Sequence, residues 1–197
     1  DWLAEMYHPA KFTPAVVELG RRRCAEEGLA DKTSFVEADA CATGLPSGQF
    51  DFVWGEDAWC YVEDKAKLIA EAARLIKPSG IIAFTDWMEG PAGLTEAEAM
   101  RLLTFMKFPN VLTLGEYQSL LEQNGCVVEV AADTGRFATS MPLYVDMIDK
   151  QLTYDALKII GFDTALAATV VSETKFLQSL AQAGKVIQGM IVGKAKG

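Results

Sequence analysis

Two hydrophobic periods take turns along this chain. Short runs rich in aromatic and β-branched residues read as strands. Phe50-Asp51-Phe52-Val53-Trp54 is a buried strand by this measure, and residues 81–85 form another. Between them, residues 64–76 place Leu68, Ala72 and Leu75 on one face at helical spacing. The same criteria predict strands over 33–37, 126–130 and 186–192. Thr13-Pro14 opens a helix that runs to about residue 27 and stops at Gly28, with Glu18 and Arg22 spaced to pair. Thr95 with Glu98 and Thr113 with Glu116 are capping boxes for helices over 96–107 and 114–124, the second closed by Gly125. Ser140 and Pro142 open a long helix to about Ile160, and Asp163 caps another that ends at Gly184.

Helix and strand alternate in this order, which predicts an α/β fold: a doubly wound, mostly parallel sheet with helices on both faces. The length of 197 residues suits a single domain, and no internal repeat or linker divides it. Residues 88–112 and 138–184 are extra to a minimal sheet and are expected to form a lid over the strand ends.

Composition narrows the class. The chain holds 27 acidic and 18 basic residues, for a net charge of −9, which disfavours a nucleic-acid partner. No apolar run is long enough for a membrane helix. Residues 1–8 lack the basic and apolar regions of a signal peptide, so a cytoplasmic location is expected. The four cysteines, Cys24, Cys41, Cys60 and Cys126, include no C-x-x-C pair, and His8 is the lone histidine. No metal site is expected, and reduced core cysteines are.

Ligands of open α/β sheets bind beyond the carboxyl ends of the strands. Three acidic stations fall there: Asp39, Glu56-Asp57 and Asp86. Any one of them could serve as a turn or cap residue instead, but three strands ending alike point to a shared polar site. Trp54, Trp59, Tyr61 and Trp87 lie near the same ends. Rings beside carboxylates suit an adenine or a quaternary ammonium. Trp54 is expected in the core, and Trp87 is open to the same reading.

These segments carry a family resemblance. Residues 50–58 with Asp64-Lys65 resemble the fourth-strand motif of class I S-adenosylmethionine-dependent methyltransferases. Leu75-Ile76-Lys77-Pro78-Ser79-Gly80 resembles the turn before their fifth strand, and Glu37-Ala38-Asp39-Ala40 their Gly-Asp-Ala station, with Ala38 in place of the usual glycine. Trp54-x-x-Asp57-Ala58, Thr85-Asp86-Trp87-Met88, residues 114–120 and Ala183-Gly184-Lys185 are similar to the sarcosine/dimethylglycine N-methyltransferase group.

The resemblance implies a Rossmann-like fold, S-adenosylmethionine as cofactor and a small-molecule amine as acceptor, with a homodimer admitted. By position it implies that Asp39 and Ala40 hold the adenine, and that Glu56, Asp57 and Ala58 line the methionine and sulfonium part. Trp59, Tyr61 and Trp87 would border the substrate, with Asp57, Tyr61 and Asp86 as the catalytic candidates. The family often has a histidine where Tyr61 stands. An O- or C-methyltransferase, or a non-catalytic protein of the same fold, are the competing classes.

Two family features do not appear. No Gly-x-Gly occurs, and no acidic residue of a second strand is found. The chain passes from residues 1–8, which resemble the helix before the first strand, almost directly to Thr13-Pro14, which resembles the helix after the second. About forty residues of a typical βαβ length would stand between them. A break in the sequence is therefore expected between about residues 7 and 13.

Overall fold

The computed structural model describes residues 14–148, 161 and 163–196. The expected break near residues 7–13, the Thr13 cap and the predicted helix over 149–160 lie outside the described residues.

Strands β1 (Phe50–Glu56), β2 (Ile76–Glu89), β3 (Cys126–Asp133) and β4 (Val186–Ala195) form one sheet in the order β1-β2-β4-β3. β1 and β2 run parallel, joined by helix α2 (Lys65–Leu75). β4 is antiparallel to both its neighbours, so the described sheet is mixed where a mostly parallel one was expected. The reason is where β4 enters: Val186 pairs with Glu89, at the end where β2 finishes.

Asp64 caps α2, accepting from the Lys67 amide at 2.9 Å. Leu68, Ile69 and Ala72 are fully buried and pack in one core with Val53, Ile82, Phe84 and Ile191 of the sheet. Helix α4 (Leu114–Gln123) adds Tyr117 and Leu121 to this core. Each such large apolar side chain contributes about 1.5–3 kcal/mol by leaving water.

A second core joins helices α3 (Glu96–Met106), α5 (Arg136–Asp146) and α6 (Thr164–Gln182) through Leu102, Met141, Leu177 and Leu180, with Val186 at its base. Arg101 bonds Glu173 at 2.9 Å and stacks over Phe176, and Lys185 bonds Glu98 at 2.7 Å. These three helices form a cap where β2 ends and β4 begins. Both capping boxes form as expected, and Asp163 caps α6. Helix α1 covers Pro14–Glu26.

The structure departs from the sequence in several places. Residues 33–37 form no strand, and Val36 is exposed. Among the described residues no strand pairs with the outer edge of β1, so an extended segment there has no ladder to join. Trp54, expected in the core, is 45 % exposed, and Phe52 is 60 % exposed. Strand period explains it: Val53 and Gly55 face the core, Gly55 against Trp59, while residues 52 and 54 face the other side. Helix α5 begins after Gly135 in a left-handed conformation and carries Pro142 inside it, where Ser140 and Pro142 had read as its start. Glu18 lies nearest Arg21, not Arg22. Among the described residues no helix is long and apolar enough to cross a membrane.

Candidate functional site at the carboxyl ends of β1 and β2

β1 ends at Glu56, which is exposed. The chain then turns sharply at Asp57, whose φ of 48° lies in the left-handed region that aspartate tolerates better than most residues. The Asp57 amide donates to Thr85 O at 2.8 Å, which ties the turn to β2. Its carboxylate is divided. Oδ2 accepts from Gln188 Nε2 at 2.6 Å, whereas Oδ1 is buried with no hydrogen-bond partner.

Ala58 leads into a 3₁₀ turn over Trp59–Tyr61. The Trp59 indole lies against Gly55, where any Cβ would collide with it. Trp59 is fully buried and stacks on Phe84 with ring centres 4.1 Å apart. It therefore belongs to the core, and the expectation that it borders an open substrate pocket is corrected.

Asp86 is also corrected. It was a catalytic candidate, yet it has no exposed surface and both oxygens are engaged. Tyr117 Oη donates to Oδ2 at 2.7 Å and the Cys60 amide to Oδ1 at 2.9 Å. Burial raises its carboxyl to about 6, opposed by the hydrogen bonds from Tyr117 and Cys60 and by the Lys65 charge. Lys65 is itself buried and donates to the carbonyls of Cys60 and Val62; burial depresses its ammonium. Burial likewise pushes the Cys60 thiol up, with Asp86 adding to it. This group fixes the backbone of the 3₁₀ turn and faces no solvent.

Asp39 is exposed, and its Oδ1 accepts from the Cys41 amide at 2.8 Å. Ala40 is buried in the same core as Trp59 and Val62. The loop is held by Glu71 of α2, which accepts from the Thr43 amide at 2.9 Å and from both Thr43 Oγ1 and Arg74. The Arg74 guanidinium, with Thr43, holds the Glu71 carboxyl down to about 2, against the opposing effect of burial. Replacing Glu71 with alanine frees the Thr43 amide and Arg74 together. A loss of about 1–3 kcal/mol in chemical denaturation is expected, along with faster amide exchange at residues 39–44. Unchanged exchange would refute the anchoring role.

Tyr61 and Trp87 are half-buried and meet through Phe108. Tyr61 packs edge-on to it at 5.0 Å, Trp87 lies 5.8 Å from it, and Trp87 also packs on Phe137 at 4.2 Å. A continuous aromatic row thus runs from the 3₁₀ turn to α5 of the cap.

Glu56-Asp57, Tyr61 and Trp87 therefore gather near the end of β1, with Asp86 sealed beside them, and Asp39 lies in the loop held to α2 through Glu71. Three buried polar atoms near the β1 end lack a protein partner: Asp57 Oδ1, Trp59 Nε1 and Thr85 Oγ1. Leaving such atoms unpaired costs about 1–3 kcal/mol each. Asp57 Oδ1 and Thr85 Oγ1 fit a site completed by the polar groups of a nucleotide-like ligand, whereas Trp59 Nε1 is enclosed in the core. Sequence reasoning missed Gln188, Thr134 and Phe108. Gln188 did carry a signal: it is the one polar side chain in Val186-Ile187-Gln188-Gly189-Met190-Ile191, and a buried polar residue in an apolar strand calls for a partner.

Comparison with known proteins finds methyltransferases. Residues 3–84 match the family model of the methyltransferase domain. A 27-O-demethylrifamycin SV methyltransferase of Amycolatopsis mediterranei is 33 % identical over 124 residues, 61 % of this chain and 45 % of that protein. A dimethylglycine N-methyltransferase of Parasynechococcus marenigrum is 26 % identical over 129 residues, 66 % of this chain and 46 % of that protein. The chain thus spans about half the length of the curated relatives it matches. Among solved structures, one assigned as a sarcosine dimethylglycine methyltransferase from Galdieria sulphuraria superposes with a TM-score of 0.83 at 21 % identity, covering 99 % of this chain and 77 % of that one. Residues 3–84 are thus similar to the methyltransferase domain family, and the fold matches the Rossmann-like fold of class I methyltransferases.

Proposed function

We propose that this chain methylates a small-molecule acceptor, an amine nitrogen of the sarcosine or dimethylglycine kind, at the carboxyl ends of β1 and β2. The observation that carries the reading is the pair of unpartnered buried polar atoms at Asp57 and Thr85, beside the aromatic row of Tyr61, Phe108 and Trp87. S-adenosylmethionine supplies an electrophilic methyl group on a cationic sulfur. Asp39 and the Ala40 backbone are suited to its adenine, and Glu56, Asp57 and Ala58 to its methionine half. The aromatic row excludes water and attracts a cationic amine through ring faces. The acceptor nitrogen must be unprotonated to react, so the residues work chiefly by placing it. With Asp86 sealed in the core, Asp57 is the carboxylate suited to receive the nitrogen's proton.

Oxygen acceptors form the second reading. It is favoured by one observation: the relative named for 27-O-demethylrifamycin SV is 33 % identical, against 26 % for the dimethylglycine N-methyltransferase. Incubation with methyl-labelled S-adenosylmethionine and a panel of acceptors separates the readings. Label in sarcosine or dimethylglycine, with none in phenols or macrolide hydroxyls, is expected. Label in hydroxyl acceptors alone would replace the amine reading by the oxygen one. Failure to bind S-adenosylmethionine in calorimetry would overturn both.

A further inference from the structure

Gln188 has no place in the proposed transfer itself, yet it is 97 % buried at the level of its residue surface, with 3 % exposed. Its amide is orientated at both ends. Oε1 accepts from Thr134 Oγ1 at 2.8 Å, which leaves Nε2 as the donor to Asp57 Oδ2 at 2.6 Å. Thr134 is fixed in turn. Its amide donates to Gln188 O at 2.9 Å, and its Oγ1 accepts from the Arg136 amide at 3.2 Å, at the first residue of α5. A single hydrogen-bonded path therefore runs from the cap helix α5, through Thr134 and Gln188, to the carboxylate of Asp57.

We infer that Gln188, aligned by Thr134, is a positioning residue that turns the unpartnered Oδ1 of Asp57 toward the bound ligand and couples it to the start of α5. The inference rests on the functional reading above, in which Asp57 faces the cofactor. The geometry supports it on two counts. The Asp57 backbone is held in a left-handed conformation, and its carboxylate takes a hydrogen bond from Gln188 Nε2. With Oδ2 committed to Gln188, Oδ1 is the oxygen left for a ligand donor or cation. The Asp57 carboxylate only accepts, so the glutamine turns its NH₂ to Asp57 and its oxygen to the Thr134 hydroxyl.

The test is calorimetric titration of the full chain with S-adenosylmethionine, with thermal unfolding of each variant as a parallel measurement. Gln188→Ala is expected to weaken binding about tenfold. In an Asp57→Asn background the same change is expected to weaken it less than twofold further, because Gln188 acts through Asp57. Thr134→Val is expected to weaken binding about threefold and Thr134→Ser to restore it, and this pair keeps the test sharp if Gln188→Ala folds poorly. Two outcomes overturn the inference alone: unchanged affinity in Gln188→Ala and Thr134→Val, or full additivity of Gln188→Ala with Asp57→Asn. No binding by the unaltered chain overturns the functional reading, and this inference with it.

Discussion

Replacing Asp86 with alanine should destabilise the protein by about 3–5 kcal/mol, the cost of removing one partner from a buried charged network. The carboxylate accepts from Tyr117 Oη and from the Cys60 amide, and its charge opposes the burial of Lys65. Alanine leaves all three uncompensated. For a chain of this size the melting temperature should fall by about 10 °C. Asp86→Asn keeps one acceptor and should cost about half as much.

The pH dependence gives the sharper readout. Burial lifts the folded carboxyl from 3.8 to about 6, so the folded state holds its proton more tightly than the unfolded chain. The contribution is fully favourable below about pH 4 and is lost as pH rises through about 6, by on the order of 3 kcal/mol. Glu71 has the opposite sign: its carboxyl is held down to about 2, so its contribution is present above its ordinary value of 4.5 and lost toward pH 2. Denaturation of the unaltered protein and Asp86→Asn between pH 4 and 7 isolates the first effect. The gap between the two stability curves should narrow as pH rises. A constant gap would show that Asp86 does not titrate in this window.

Much of this arrangement could be read from residues. The capping boxes at Thr95 and Thr113, the α2 face and all four observed strands were visible, because each rests on local chemistry or on one hydrophobic period. The failures involve partners distant in sequence. Trp54 is as aromatic as a core residue, but which face of β1 is covered depends on where α2 packs. The segment over 33–37 has strand composition, yet a strand exists only where a neighbour accepts its hydrogen bonds. In the sequence Asp86 follows an apolar run as Asp39 and Asp57 do, whereas in the structure it lies inside β2. What separates it is Tyr117, 31 residues further along, whose hydroxyl draws the carboxylate inward. Gln188 lies 131 residues from Asp57 and no spacing rule could join them.

Asp57→Asn is expected to leave the fold intact and to cut affinity for S-adenosylmethionine about 30-fold, the loss of a buried hydrogen bond to a charged acceptor. Asparagine tolerates the left-handed φ of 48°, and its carbonyl can still accept from Gln188 Nε2. The change therefore falls on the other end of the side chain, where an acceptor becomes a donor and a negative charge is removed. Asp57→Ala adds backbone strain of about 1 kcal/mol, so a lower melting temperature in alanine than in asparagine separates folding from binding. S-adenosylhomocysteine lacks the positive charge on sulfur and sharpens the comparison. If the Asp57 carboxylate serves the cation, Asp57→Asn should weaken binding of the charged cofactor several-fold more than that of the neutral product. Equal losses for the two would assign Oδ1 to an uncharged donor of the ligand. Affinity within twofold of the unaltered protein for both would remove Asp57 from the site altogether.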